Sequence, residues 1–346
     1  MDRVLPNTLV PIIVTLFLCW NLSAQDIHYS QFYNAPEIMN PALTGIFYGD
    51  VRFMGHYRRQ WENVPADFLT FSGTYDQKFY PKKAKGNDFL GFGINFNYDN
   101  AGFSKLALSH LQLGGSYSTE LKKNVFLTGG IQLGFGNRAF KEQDLTFDSQ
   151  WDRDANKFDP SLPQGENFDN TSIFFLDFSL GGNLRLQKDD RRTKLDIGVS
   201  LYHLNQPRQE FFDNSDQRLP SRFALYALGA IKIANPLDLL LRGTAQFQTT
   251  YREYVPGIAL KLHLSQDRGK ELAFQLGANL RLNDITDAII PTVELHYRTL
   301  GVGVSYDINV SDFDIATDQR GGPEIWVSYR IVKVKPLGQF KTCPIF

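Results

Sequence analysis

Cysteine is almost missing from this chain: 346 residues contain two, Cys19 and Cys343. Cys19 falls in a signal-like N-terminus, so a processed chain keeps one thiol and can form no intramolecular disulfide. Cys343 is then left to pair with a partner or to stay reduced in a structural role. Charge of one sign is missing too. Lys and Arg number 36 against 37 Asp and Glu, with no basic stripe, which argues against nucleic acid as a partner. Beyond the N-terminus no apolar run approaches the roughly 18 residues of a membrane-spanning helix. The mean hydropathy of -0.28 fits a soluble protein. It fits a β-barrel equally well, because lumen-facing polar residues dilute the lipid-facing ones.

Residues 1–24 read as a signal peptide. Arg3 supplies the positive start, Leu9 to Trp20 the apolar stretch, and Leu22-Ser23-Ala24 a cleavage site before Gln25. Leu18 stands where lipoprotein processing at Cys19 would need a small residue, so the expected mature chain starts at Gln25 without a lipid anchor. The alternative, an uncleaved membrane anchor, is disfavoured by the shortness of the apolar run.

Catalytic signatures are also scarce. The histidines at 28, 56, 110, 203, 263 and 296 form no i, i+4 metal pair, and no serine sits in a G-x-S-x-G elbow. Gly134-Phe-Gly136-Asn-Arg-Ala139 fits the loose dinucleotide pattern, but lies inside a strand with no helix after it. Asp152, Asp154 and Asn156 match the opening of a calcium loop, yet Lys157 takes the place of the turn glycine and no final Glu follows. A solvated loop is the better reading there, as it is for Asp312, Asp314 and Asp318. No cofactor, metal site or catalytic residue is expected. An outer-membrane enzyme built from separated Ser, His and Asn residues is kept as a third reading, with His56, His263 and His296 at lumen positions.

What the chain does have is alternation. Phe174, Leu176, Phe178, Leu180, Leu184 and Leu186 fall on one face, and Asp177, Ser179, Asn183, Arg185 and Gln187 on the other. Period 2 marks a strand with different surroundings on its two sides. Such segments recur at 50–60, 67–77, 88–99, 104–121, 124–138, 171–187, 193–204, 222–233, 237–249, 254–265, 271–283, 289–298, 300–309 and 323–333. About fourteen of them, each long enough to cross a bilayer when tilted, predict an all-β, transmembrane, antiparallel up-and-down β-barrel. An even count sets both ends on the periplasmic side. Alternate connections are then mostly short, as at Lys122-Lys123, Lys188 to Arg192 and Ala234 to Pro236. The longest, 139–170, 205–221 and 310–322, fall on the external side, which is the barrel pattern. Aromatics at 14% fit interfacial girdles.

Gly129, Gly130, Gly134, Gly136, Gly181, Gly182, Gly301 and Gly303 lie inside strands. Barrel bending is the favoured account, and room for a plug or a passing polypeptide the sharper one. The expected organisation is a signal peptide at 1–24, a turn-rich periplasmic segment at 25–49, the barrel at 50–333 and a periplasmic tail at 334–346.

Within 25–76, Gln31-Phe-Tyr, Ala35-Pro36, Asn40-Pro41-Ala42-Leu43-Thr44-Gly45 and Tyr57-Arg58-Arg59-Gln60-Trp61 resemble the opening signature of the PorP/SprF family. These are outer-membrane proteins of the Bacteroidetes type IX secretion system. Gly301-Val-Gly303-Val-Ser305-Tyr306-Asp307, Glu324-Ile325, Tyr329 and a closing Cys343-Pro344-Ile345-Phe346 agree, with Ile345 departing from the basic residue expected in the last motif. The resemblance spans the mature chain. It implies export or cell-surface display of secreted cargo with a C-terminal sorting domain, gliding adhesins being the best-known class. It implies partners among the secretion machinery in periplasm and outer membrane, contact with outer-membrane lipid, and no enzymatic activity. The second reading is a diffusion channel or small-molecule transporter, since a barrel of this size is wide enough for a narrow or plugged pore.

The candidate partner-binding or plug residues are Asn40, Pro41, Thr44, Gly45, Arg52, Arg58, Gln60, Trp61 and Cys343. Pro41 restricts Asn40 to extended backbone, and Gly45 can take a positive φ, so 40–45 is expected to make a rigid turn at the periplasmic mouth. By parity Arg52, Arg58 and Gln60 face the lumen, Tyr57 and Arg59 face away, and Trp61 reaches the external rim. A lumen arginine could hold an inner plug by charge-assisted hydrogen bonds, or serve as polar lining.

Overall fold

The computed structural model describes residues 26–333 except 61–67, 82–87, 103–104, 166–167, 169, 191, 212–216, 268, 284–287 and 311–319. Alternating apolar and polar residues build the wall: β1 (Val51–Gln60), β2 (Phe68–Phe79), β3 (Phe89–Ala101), β4 (Leu106–Lys122) and β5 (Val125–Ala139) come first. After a small hairpin of β6 (Trp151–Asp152) and β7 (Lys157–Phe158) follow β8 (Ser172–Gln187), β9 (Lys194–Tyr202), β10 (Arg222–Ala234) and β11 (Leu237–Gln248). The last five are β12 (Tyr251–Ser265), β13 (Leu272–Asn283), β14 (Ala288–Tyr297), β15 (Leu300–Asn309) and β16 (Arg320–Ile331). All but β6 and β7 join one closed antiparallel barrel, in chain order, sealed where β1 pairs with β16 from Val51↔Ile331 to Arg58↔Glu324. The fourteen strands match the sequence reading. Among the described residues no helix is long and apolar enough to cross a membrane; the strands do the crossing.

The pleat sorts the side chains. Phe174 is 65% exposed on the outer face, while Asp177, three residues on and facing inward, is 1% exposed. Inside, polar side chains knit neighbouring strands together. Thr74 Oγ1 donates to Asn95 Oδ1 at 3.0 Å, Asn95 Nδ2 to Gln112 Oε1 at 2.9 Å, and Gln112 Nε2 to Gln132 Oε1 at 3.2 Å. Satisfied donors and acceptors make a polar lumen compatible with a surface turned to lipid.

The turn at Asn124, with a φ of 68°, joins β4 to β5 on the short-turn rim. The connections 140–171 and 203–221 lie at the opposite rim and pack on each other. Phe140 meets Phe168 at 4.9 Å and Phe211 at 4.8 Å. In the first of them Asp152 Oδ1 accepts the backbone N–H groups of Asp154 and Ala155, capping the β6–β7 turn. Asp312, Asp314 and Asp318 lie outside the described residues, as do the signal segment and the tail.

One expectation is corrected here. Residues 26–49 are not a periplasmic segment standing outside the barrel; they fill its lumen. Short turns and apolar side chains suit this placement. Phe32, Met39 and Leu43 bury themselves against Tyr226 and Val255 of the wall, with Tyr33, Ile46 and Leu228 packed beside them. Short turns satisfy part of the segment's backbone internally, as where Asn40 N donates to Pro36 O at 2.8 Å, and polar wall side chains take up other groups, as Glu324 does for the N–H groups of Ser30 and Gln31.

Candidate functional site

The candidate site is the lumen with its plug. The plug starts in the half of the lumen nearer the long loops. There Asp26 Oδ2 lies 2.9 Å from His203 Nε2 and 3.3 Å from Arg222 NH1. It then runs to Asp50, whose backbone N–H donates to Ile331 O at the short-turn rim.

Its upper end is held by an ionic cluster. The Glu324 carboxylate takes two consecutive backbone N–H groups, from Ser30 at 2.7 Å and Gln31 at 2.8 Å. Asp307 accepts from Ser30 Oγ at 2.6 Å, from Arg58 NH2 at 2.9 Å and from Arg281 NH1 at 2.8 Å. Arg58 NH1 also donates to His28 O at 2.6 Å. Each buried charge therefore has an opposite charge or a backbone dipole against it, the condition under which ions tolerate burial.

The middle of the plug rests on Asn40 and Pro41. Asn40 Nδ2 donates to Gly182 O at 3.0 Å and Val199 O at 2.9 Å, while Oδ1 accepts from Ala42 N at 2.8 Å and caps the turn Pro41–Leu43. Asn40 is extended, with φ -163°, as the following proline requires. Glycine makes the room: a Cβ at Gly181 would overlap the Asn40 side chain, and one at Gly130 the backbone of Ala42. At these two positions the glycine makes space for the plug; at Gly129 and Gly182 a Cβ would meet nothing within 4 Å.

The lower end is fixed by Thr44 and Gly45. Ser116 Oγ donates to Thr44 O at 2.6 Å, and Gly45 N to Asp76 Oδ2 at 2.8 Å, with Gly45 at φ 78°. Asp76 is held in turn by Arg52, through Nε at 2.8 Å and NH2 at 2.6 Å. The turn 40–45 thus lies within the lumen, not at its periplasmic mouth as the sequence reading had it. Glu37, also in the plug and outside the spanning strands, is fully buried with no hydrogen-bond partner on either oxygen. Burial, and then the neighbouring Asp76, push its carboxyl well above the usual carboxylate range.

Arg52 and Arg58 therefore point into the lumen and contact the plug or its anchors, together with Asn40, Pro41, Thr44 and Gly45. Gln60 ends β1, where it pairs with Phe68. Trp61 and Cys343 lie outside the described residues. His56, His263 and His296 line the wall: His56 Nδ1 stands 3.5 Å from Ser72 Oγ, His263 Nε2 2.7 Å from Asp238, and His296 Nε2 3.1 Å from Glu294. Ser72 is wholly buried. Asp76, Arg281, Asp307 and Glu324 escaped the sequence reading as anchors. The available signal was a charge on the inward parity of its strand, the single charged residue of β13 at Arg281 and of β15 at Asp307.

The family model described as "Type IX secretion system membrane protein PorP/SprF" matches residues 21–329, the barrel and plug together. The chain belongs to the PorP/SprF family. A search of curated proteins finds no match. Among solved structures, the PorP/SprF chain is similar to the CymD monoaromatic hydrocarbon channel, with a TM-score of 0.51 at 8% identity over 87% of this chain and 93% of that one. It is also similar to the Ralstonia pickettii toluene transporter TbuX, with a TM-score of 0.49 at 12% identity over 86% and 92%. The likeness to CymD is one of fold alone. Family and fold together describe a secretion-system membrane barrel of the outer membrane, not a known class of enzyme.

Proposed function

We propose that this PorP/SprF barrel receives, translocates or anchors at the cell surface cargo carrying a C-terminal sorting domain, of the gliding-adhesin type, and performs no covalent chemistry. The observation that carries the reading is the family membership joined to a lumen occupied by residues 26–49. A wall that commits Glu324, Asp307, the Gly182 and Val199 carbonyls and the space at Gly130 and Gly181 to seating a plug suits a protein-handling scaffold better than a free aqueous pore. Machinery components of periplasm and outer membrane are its partners in this reading. Mature export through a cleaved signal peptide at 1–24 belongs to the same proposal.

The test is native affinity purification from the outer membrane in mild detergent, followed by mass spectrometry. Recovery of a large secreted protein with a C-terminal sorting domain, or of secretion-machinery components, is the expected result. A partner-free barrel, under conditions that keep a known machinery complex intact, would overturn the proposal in favour of a diffusion channel.

A further inference from the structure

Below the plug, the lumen opens toward the short-turn rim as two adjoining cavities of about 230 and 270 Å³. Arg52 and Lys194 line both. Arg185 and Arg242 complete the basic lining of one, Lys261 and Arg330 that of the other. Against these six cations the lining holds one carboxylate, Asp196, and that is engaged by Arg185 at 2.7 and 3.0 Å. Arg52 is matched by Asp76, and Arg242 lies 3.7 Å from Glu294 and over the Tyr33 ring. Among the described residues no carboxylate lies within ion-pair distance of Lys194, Lys261 or Arg330. The electrostatic neighbours of Lys194 are Arg185, Asp196, Lys261 and Arg330, and those of Lys261 are Glu294 and Asp238 beside Arg330 and Arg242, so cations outnumber carboxylates around Lys194 without excluding them.

A nearly neutral chain has thus gathered surplus positive charge in one concave place. Such a cleft, walled by low-dielectric barrel, focuses its field on whatever approaches the mouth. The plug forms the apolar side of the same space, through Tyr33, Pro36 and Ile46, with Trp326 opposite. We infer that this vestibule binds an acidic peptide segment of a partner protein entering from the periplasm. Its carboxylates would meet Lys194, Lys261 and Arg330, and its apolar side chains the plug. A small inorganic anion would use the charge and leave the apolar side unused. The inference rests on the protein-handling reading above and adds the chemistry of the handled segment.

The test uses the full chain in lipid nanodiscs and a fluorescein-labelled peptide of alternating Glu and Leu, read by anisotropy. Expected are saturable binding, at least fivefold weakening between 0.1 and 0.5 M NaCl, and at least tenfold loss in the Lys194→Gln/Lys261→Gln double variant. Lys157→Glu, on the external hairpin, should bind as the parent does. Faster migration of unheated protein on a denaturing gel checks that each variant is a folded barrel. If Lys194→Gln/Lys261→Gln does not fold, Arg330→Gln alone takes its place, with a threefold loss expected. Absence of binding, equal binding by the lumen variants, or displacement of the peptide by equimolar inorganic phosphate would each overturn the inference. The outcome is independent of cargo recovery: peptide binding with no cargo found indicts the functional proposal, and cargo without peptide binding indicts the vestibule.

Discussion

At the level of single residues, Gly181 and Gly182 separate plug seating from barrel bending. Gly181→Ala would drive a methyl group into Asn40 and is expected to cost about 1–3 kcal/mol of plug docking, the usual range for overpacking. Gly182→Ala faces open space and should stay within about 0.5 kcal/mol of the parent. Hydrogen exchange at amides 38–44 reads the difference, fast in the first variant and unchanged in the second. Arg58→Ala leaves Asp307 and Glu324 short of a cation in a buried cluster, and breaking such a pair costs about 3–5 kcal/mol. Exchange at amides 28–31 should accelerate accordingly. Glu37 carries a pH dependence. Its pKa is raised in the docked plug, so its contribution is fully present below the ordinary carboxylate value and is lost as pH rises through the raised one. Plug protection should therefore weaken with rising pH, and Glu37→Gln should flatten that dependence; an unchanged profile in the variant would count against the assignment.

Elements were unequally legible. The strands announced themselves because a two-sided environment imposes period 2 on every one of them, and Phe174 to Leu186 carry it over most of β8. Inward parity at Arg52 and Arg58 followed from the same pattern. The plug was not legible in that way. Residues 26–49 have no period, only prolines, glycines and small turns, and a turn-rich segment reads alike whether it hangs in the periplasm or threads a lumen. What placed it inside was a set of contacts more than 100 residues apart in sequence, such as Asn40 with Gly182 and Val199, and Gln31 with Glu324. Deleting residues 26–46 tests the plug as an element. The barrel should still insert and resist unfolding in the membrane, since its ladder closes through β1 and β16 without the plug. Loss of heat-modifiable gel mobility in the deletion would show that the barrel needs its plug to form.

For the molecule as a whole, the barrel supplies a rigid frame, the external loops pack over one end, and the plug divides the lumen, leaving a basic vestibule at the other. A closed lumen and a polypeptide partner belong together in this account, and a conducting pore belongs to its rival. Planar-bilayer conductance of the intact chain beside the chain lacking residues 26–46 compares them directly. The account predicts an intact protein that passes no steady current and a deletion that opens a stable, ion-conducting pore. Steady conductance through the intact chain, unchanged by the deletion, would contradict it.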